Sequence, residues 1–172
     1  MPSTYTLIKG ETVTTTPSSY TFTAIPSTYT DLVVRYSARG SDSGVSINAM
    51  IKVNTDTSTN YSRTNLFSGG SSATSVRASN EDRWYFGFSI NGASATANTF
   101  SNSELYIPNY TVSSSKPASG FSVTETNATA ADLGVVALLW RNTAAITSLE
   151  LTPLSGTFVS GSSFYLYGIS KS

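Results

Sequence analysis

The sequence contains neither histidine nor cysteine, and only 12% of its 172 residues are charged. Histidine is the side chain whose ordinary pKa lies near neutrality, and the cysteine thiolate is a strong nucleophile and a soft metal ligand. Their absence removes the working groups of most hydrolase, transferase and transition-metal mechanisms, and it excludes a disulfide scaffold. We therefore expect a protein that binds a partner, with no enzymatic activity and no cofactor.

An excess of charge of either sign is also missing, because ten basic residues balance ten acidic ones and form no run. Such a chain has no electrostatic footprint for nucleic acid or for an anionic membrane. No stretch approaches the length of a transmembrane helix, and residues 1–16 lack the basic and apolar regions of a signal peptide. We expect neither nucleic acid nor a membrane among the partners.

What the chain does contain is a series of short segments in which apolar and polar residues alternate. Residues 45–53 are the clearest case, because five apolar side chains at every second position are separated by mostly polar ones. This period of two indicates a strand with one buried face. Clusters of glycine, serine and asparagine separate the segments. We predict strands at residues 5–9, 20–25, 32–38, 45–53, 61–67, 83–90, 100–107, 121–125, 146–151 and 163–169.

One further segment, Leu133–Trp140, is continuously apolar and fits either a short buried helix or a strand covered on both faces. Gly134, the Val135–Val136 pair and the short length favour the strand. The total is about nine to eleven short strands, at the spacing typical of an antiparallel β-sandwich or barrel. We expect residues 1–172 to form a single all-β domain.

Paired carboxylates are the catalytic option that survives the absence of histidine. Glu104, Glu125 and Glu150 each lie on or beside a predicted strand, and a glycosidase needs two such groups about 5–10 Å apart. The sequence does not show that any two of them converge, and glutamate on an exposed strand face is ordinarily solvated. We expect no carboxylate-dependent active site.

Two other polar patterns carry weak chemical signals. Ser115–Lys116 and Ser170–Lys171 could in principle form a serine nucleophile with a lysine base, but both lysines lie in loop or terminal contexts where burial is not expected. Residues 54–60 alternate oxygen-bearing side chains around Asp56, yet they lack the glutamate and glycine of a calcium loop. We interpret this segment as a polar hairpin loop.

Aromatic residues could serve the core, a protein interface or a sugar-binding platform. We expect four of them in the core: Trp84, Phe86, Phe88 and Trp140. Tyr106 and Tyr110 flank Pro108 at a strand end, where exposure is expected. Because tyrosine is enriched at interfaces, subunit contact is the first interpretation of these two, and glycan binding is the second.

Five segments, taken together and in their order along the chain, form a recognisable pattern: residues 5–8 (YTLI), 25–38 (IPSTYTDLVVRYSA), 98–110 (NTFSNSELYIPNY), 144–151 (AAITSLEL) and 152–169 (TPLSGTFVSGSSFYLYGI). This pattern resembles a family of small bacteriophage virion structural proteins found in cyanophage and marine phage genomes. The resemblance implies a virion structural role on a β-sandwich of jelly-roll type. It brings no catalytic motif with it.

Within that family, a compact chain that reaches its first strand at once suits a capsid decoration (cement) protein. The partner would be the major capsid protein, and the location would be the capsid surface after synthesis in the host cytoplasm. Decoration proteins commonly form trimers, in keeping with the closed symmetry of most homo-oligomers. The alternative is a receptor-binding module at a tail-fibre tip that recognises host surface glycan. The candidate interface residues are Arg35, Arg39, Arg63, Arg77, Arg83, Tyr106 and Tyr110.

Overall fold

The computed structural model describes residues 4–128 and 131–170, without the side chain of Phe88. The expected core position of Phe88 and the lysine of the Ser170–Lys171 pair therefore lie outside the described residues. Within them every regular element is a strand, and no helix is long and apolar enough to cross a membrane. The predicted all-β class is confirmed.

Twelve strands follow one another along the described parts of the chain. They are β1 (Tyr5–Thr12), β2 (Tyr20–Phe22), β3 (Asp31–Ser37), β4 (Ser46–Val53), β5 (Tyr61–Ser68), β6 (Ala73–Glu81), β7 (Trp84–Asn91), β8 (Asn102–Ile107), β9 (Lys116–Val123), β10 (Leu133–Trp140), β11 (Leu149–Pro153) and β12 (Ser163–Ile169). All of their pairings are antiparallel.

The strands form two sheets with the topology of a jelly roll. The large sheet has the order β1-β12-β3-β8-β9-β10-β5-β6, and the small sheet has the order β2-β11-β4-β7. Strands β1, β12, β3 and β8 of the large sheet, together with the four strands of the small sheet, are the eight strands of a jelly roll, which consists of two Greek keys. The hairpins β5–β6 and β9–β10 are insertions that widen the large sheet by four strands. The expected jelly-roll sandwich is confirmed.

Two differences from the predicted strands have local causes. The sequence pattern missed β6, because most of its side chains are exposed on both faces and so do not alternate in polarity. It also predicted that the strand at 121–125 begins only at residue 121, whereas β9 begins at Lys116 and includes Pro117. Pro117 is tolerated because β8 pairs with β9 only from Ser119 onwards, which leaves the proline with a neighbouring strand on one side.

Buried side chains of the described residues form one hydrophobic core, which fills the space between the two sheets and continues beneath the inserted hairpins. Trp84, Phe86 and Trp140 are almost fully buried in it, as predicted. The Tyr61 ring lies edge-on to Trp84, with centroids 6.1 Å apart, and stacks on Trp140 at 6.3 Å. Strand β7 packs against β5, β9 and β10, so the inserted strands share the core.

Strand β10 confirms the strand interpretation of Leu133–Trp140 but corrects the expectation that it is covered on both faces. Val136, Leu138 and Trp140 are buried, whereas Leu133 and Val135 are exposed. Nothing within the described residues covers the outer face of the large sheet at this point. The run is continuously apolar although one of its faces meets solvent.

Candidate functional site

The outer face of the large sheet, the face turned away from the small sheet, carries a continuous row of side chains across six strands. In the strand register each residue of this row lies directly opposite the next one. The residues are, in order, Tyr165, Arg35, Glu104, Phe121, Val135 and Leu66. Neighbours in such a row are close enough to interact. The row therefore changes from aromatic, through an ion pair, to apolar.

The apolar part of this surface is exposed to an unusual degree for hydrophobic side chains. Relative exposures are 48% for Leu66, 40% for Phe121, 58% for Leu133 and 51% for Val135. We call these four residues the apolar strip. Isolated exposed hydrophobic residues are ordinary, but a contiguous exposed patch marks an interaction surface. The strip lies on the two inserted hairpins, not on the eight jelly-roll strands.

A groove of about 540 Å³ runs beside the apolar strip. It follows from side-chain size, because the adjacent register row has the small residues Ser119, Ala137 and Thr64 next to Tyr106. The larger Phe121, Val135 and Leu66 of the strip form one side of the groove, and Glu104 and Tyr106 close one end. The groove is largely apolar with a polar end.

The ion pair of the row fixes a guanidinium in place at the border of this surface. Arg35 Nε donates to Glu104 Oε2 at 2.6 Å, and the guanidinium carbon lies 5.6 Å from the centre of the Tyr167 ring. The hydrogen bond to Glu104 raises the pKa of Arg35 above its usual value. Half of the Arg35 side chain is exposed, so a partner could contact it without breaking the pair.

Tyr106 is held in a similar way. Its hydroxyl donates to Asp31 Oδ2 at 2.9 Å, and the backbone N–H of Asn109 donates to the other oxygen of the same carboxylate at 2.8 Å. Partial burial, followed by the hydrogen bond to Asp31, raises the pKa of Tyr106. The ring therefore lines the groove in a fixed orientation, which lowers the entropy cost of contacting a ligand.

Of the other predicted interface residues, Arg77 shares this face and Arg63 does not. Arg77 lies opposite Thr64 on the exposed edge strand β6. Arg63 points to the inner face, where its Nη2 lies 3.2 Å from Glu81 and its guanidinium lies over the Tyr85 ring at 4.7 Å. Arg63 is thus part of the packing between β5 and β7.

Arg39 and Arg83 have their guanidinium groups occupied within the chain. Arg39 donates from Nη1 and Nη2 to four backbone carbonyls of the loop before β8, those of Ala93, Ala95, Thr96 and Thr99. Arg83 forms a bidentate pair with its sequence neighbour Asp82. Both arginines organise loops, and neither lies in the register row of the outer face.

Tyr110 corrects the sequence expectation of exposure at the end of β8. Its side chain is fully buried, and its hydroxyl donates to the carbonyl of Pro26. The chain turns inward after Pro108, which places Tyr110 in the core near Tyr29. It is therefore unavailable for contact with another surface.

The three glutamates considered for catalysis lie apart. Glu104 is on the outer face of the large sheet, and Glu150 is on the outer face of the small sheet, 3.8 Å from Lys52 Nζ. Glu125 follows β9 and accepts a hydrogen bond from the backbone N–H of Asn127. Among the described residues no group of three or more histidine, cysteine or acidic side chains could hold a metal ion. The glutamates do not converge on one site.

Lys116 corrects the expectation that its loop context leaves it unburied. Its side chain is fully buried, and Nζ donates to the carbonyls of Val112 at 2.7 Å, Ser114 and Thr143 at 3.3 Å. Burial lowers the pKa of Lys116. Because all three N–H groups are used by carbonyl oxygens, this lysine holds two loops together instead of activating Ser115.

The polar loop at residues 54–60 corrects the hairpin prediction, because it joins β4 of the small sheet to β5 of the large sheet and these two strands do not pair. Asp56 lies at its centre. The Asp56 carboxylate accepts hydrogen bonds from Trp140 Nε1 and from the backbone N–H of Ser58, each at 2.8 Å. Asn54 Oδ1 likewise accepts from the backbone N–H of Thr147 at 2.8 Å. These loop oxygens therefore accept hydrogen bonds from N–H groups, whereas a calcium site needs oxygens that are directed at the ion.

Comparisons with known proteins add no family. No family model matches the chain, and no curated protein matches it. The galectin LEC-6 of Caenorhabditis elegans has a similar structure with a TM-score of 0.35 at 12% identity, over 94% of this chain and 96% of that one. Scytalido-glutamic peptidase with a transition state analog inhibitor gives a TM-score of 0.32 at 12% identity, over 92% and 66% of the two chains. Scores at this level support no inference, so the fold assignment depends on the strand pairing above.

Proposed function

We propose that this chain is a non-enzymatic virion structural protein, a decoration protein that binds the outer surface of a phage capsid through the outer face of its large sheet. The observation that carries the binding role is the apolar strip of Leu66, Phe121, Leu133 and Val135. The family resemblance supports the virion context and the major capsid protein as partner. The glutamates and Lys116, which do not form a catalytic arrangement, favour binding over catalysis.

The physical requirements of shell stabilisation match this surface. A decoration protein has to hold neighbouring capsid subunits together with many contacts and no chemistry. Interfaces of this kind combine an apolar centre with a polar rim. Here the apolar strip supplies the centre, and Arg35 with Glu104 on one side and Arg77 on the other supply the rim. The arginines suit carboxylates of a partner because a guanidinium binds them with defined geometry.

The test is a binding assay of purified protein to empty capsids of the parent phage. Val135→Glu places a charge in the middle of the strip and should weaken capsid binding by about tenfold or more. Leu154→Glu is the matched control, because Leu154 is an apolar residue of similar exposure, 49%, that follows β11 of the small sheet. Thermal unfolding of both variants should match that of the wild type, since both positions are already exposed.

Saturation of capsids at a fixed stoichiometry, together with a higher capsid melting temperature, would support the decoration role. Equal capsid binding by the two variants would contradict the proposed surface. Detection of the protein on purified tails but not on tail-less heads would contradict the capsid location.

A second candidate function is a receptor-binding module that recognises host surface glycan. One observation favours it, namely that Tyr106 and Phe121 line the groove together with the Glu104 carboxylate. Aromatic faces with a nearby hydrogen-bonding group are suited to amphipathic ligands. Binding of the protein to host cells or lipopolysaccharide, lost on Tyr106→Ala, would favour this function over capsid decoration.

A further inference from the structure

The two sheets have four edges, and three of them are protected against pairing with another chain. Strand β1 has a bulge between Leu7 and Lys9, and both a bulge and a lysine disfavour edge pairing. Strand β2 has only three residues. Strand β7 is packed against β5, β9 and β10 of the large sheet. Natural sandwiches use such devices because an open edge exposes unpaired backbone groups.

The fourth edge, β6, has none of these protections over most of its length. It spans Ala73–Glu81 and pairs with β5 alone among the described strands. Its sequence contains neither proline nor lysine, and a register irregularity occurs only at its far end, near Asn80 with a φ of 58°. Residues from Ala73 to Arg77 are all exposed. The backbone groups that face away from β5 are therefore open to an added strand.

The sequence of β6 is complementary to itself in one antiparallel register. Directly opposite residues of an antiparallel pair point to the same face, so a two-fold axis perpendicular to the sheet must pass through a residue position. An axis at Val76 places Val76 opposite its own copy and Ser75 opposite Arg77. It also places Thr74 opposite Ala78, and Ala73 opposite Ser79.

The neighbouring registers are less favourable. Arg77 is the one charged residue between Ala73 and Asn80. An axis at Arg77 would place two guanidinium groups opposite each other, which is repulsive. An axis at Ser75 would shorten the paired segment to residues 73–77. The Val76 register pairs residues 73–79, avoids like charges and brings two exposed valines together, each 39% exposed in the single chain.

We propose that β6 pairs with β6 of a second copy of this chain, antiparallel about a two-fold axis at Val76, so that two eight-stranded sheets join into one. Pairing of this type satisfies backbone groups and needs no large apolar area. The contact is isologous and closes on itself as a dimer. It is independent of the capsid role, and it differs from the trimer expected from the family resemblance.

Cysteine cross-linking tests the contact directly, because the chain has no cysteine of its own. Opposite residues of an antiparallel pair have Cα atoms about 4.5–5.5 Å apart, within the range that a disulfide spans. Val76→Cys should therefore form a disulfide-linked dimer under mild oxidation. Thr74→Cys and Ala78→Cys should each remain monomeric on a non-reducing gel but cross-link when mixed. Leu154→Cys is the control for random collision.

The mass of the uncross-linked wild-type protein is the second measurement. Sedimentation or light scattering should show the mass rising with concentration from 18.2 kDa towards twice that value. A constant monomer mass up to several hundred micromolar, or a trimer mass, would overturn the proposal. So would efficient cross-linking of Arg77→Cys in place of Val76→Cys, because it would show a different register.

Two proline variants keep the test decisive if a cysteine variant folds poorly. Along an edge strand, successive N–H groups point alternately towards and away from the neighbouring strand. One of Ser75→Pro and Val76→Pro therefore removes only an outward N–H, which edge strands tolerate. That variant should keep the wild-type circular dichroism spectrum and lose the dimer. If Ser75→Pro and Val76→Pro both fold well and both still dimerise, pairing through β6 is contradicted.

Discussion

At the scale of single residues, Lys116 shows how a buried charge organises the loops at one end of the sandwich. The turn before β9 and the segment after β10 both direct carbonyl oxygens inward, and Lys116 Nζ donates hydrogen bonds to those of Val112, Ser114 and Thr143. A buried ammonium group is costly unless its donors are all used, and here each N–H has an acceptor. The lysine therefore substitutes for backbone pairing where the chain is irregular.

Replacing Lys116 by methionine preserves the length of the side chain but leaves these carbonyls without their donor. We expect Lys116→Met to lower the free energy of unfolding by about 1–3 kcal/mol, the cost of unsatisfied buried polar groups. Lys9→Met is the control, since it removes the same charge from a lysine that is 43% exposed. Its effect should stay within about 0.5 kcal/mol. Urea denaturation of the three proteins measures both values, and equal effects would contradict the structural role of Lys116.

At the scale of elements, the inserted hairpins depend on close approach between β9 and β7. Gly120 lies on the inner side of β9, where a Cβ atom would overlap the Phe86 ring and the backbone carbonyl of Glu104. The ring of Phe86 therefore packs directly on the backbone of β9. This contact connects an inserted strand, which carries Phe121 of the apolar strip, to the small sheet.

Gly120→Ala should therefore destabilise the protein by about 1–3 kcal/mol, because a backbone carbonyl cannot move aside as a flexible side chain can. Gly69→Ala is the matched control, since its Cβ would have ordinary contacts at 3.5 Å and 3.6 Å. We expect the control to change the free energy of unfolding by less than about 0.5 kcal/mol. Denaturant titration monitored by tryptophan fluorescence measures both, because Trp84 lies on β7.

The elements that sequence patterns could predict are those with one buried face. Residues 45–53 alternate cleanly, and β4 lies there with its alternate side chains in the core. Strand β6 was not predictable in this way, because neither of its faces is well covered. The apolar strip was missed for a related reason. Leu133 and Val135 belong to a run that is apolar throughout, and periodicity cannot tell a covered face from an exposed one.

At the scale of the whole molecule, alternation predicts a sandwich or barrel but not which strands are neighbours. The pairing of β3 with both β12 and β8 joins segments far apart in the chain, and no local pattern encodes it. The jelly-roll expectation came from family resemblance for that reason. The candidate surface lies on insertions into this topology. Of the predicted interface residues, Arg35, Arg77 and Tyr106 contribute to it, whereas Tyr110 does not because it is buried.

The molecule as a whole should lose stability in acid, because several aspartates have lowered pKa values. Although burial alone would raise the pKa of Asp56, hydrogen bonds from the Ser58 backbone and from Trp140 lower it from 3.8 to about 2. Hydrogen bonds from Ser155 and from Arg83 lower the pKa values of Asp42 and Asp82. A carboxyl group with a lowered folded-state pKa stabilises the fold above its unfolded pKa, and that stability disappears as the pH falls through the folded value.

We therefore expect the Tm of the wild type to fall as the pH decreases from about 4 to about 2, the window between the unfolded and folded pKa values of Asp56.

Asp56→Asn should lower the free energy of unfolding at pH 7 by about 1–2 kcal/mol. This value is at the lower end for hydrogen bonds to a charged group, because the carboxylate is partly exposed. Its Tm should then fall less steeply than that of the wild type within the acid window. Glu150→Gln is the control for removal of one carboxylate, since it preserves the size of the side chain and breaks only a partly exposed contact with Lys52 at 3.8 Å. Thermal scans by circular dichroism at pH 7, 4, 3 and 2 compare the three proteins. Parallel slopes for the wild type and Asp56→Asn would show that this loop does not control acid stability.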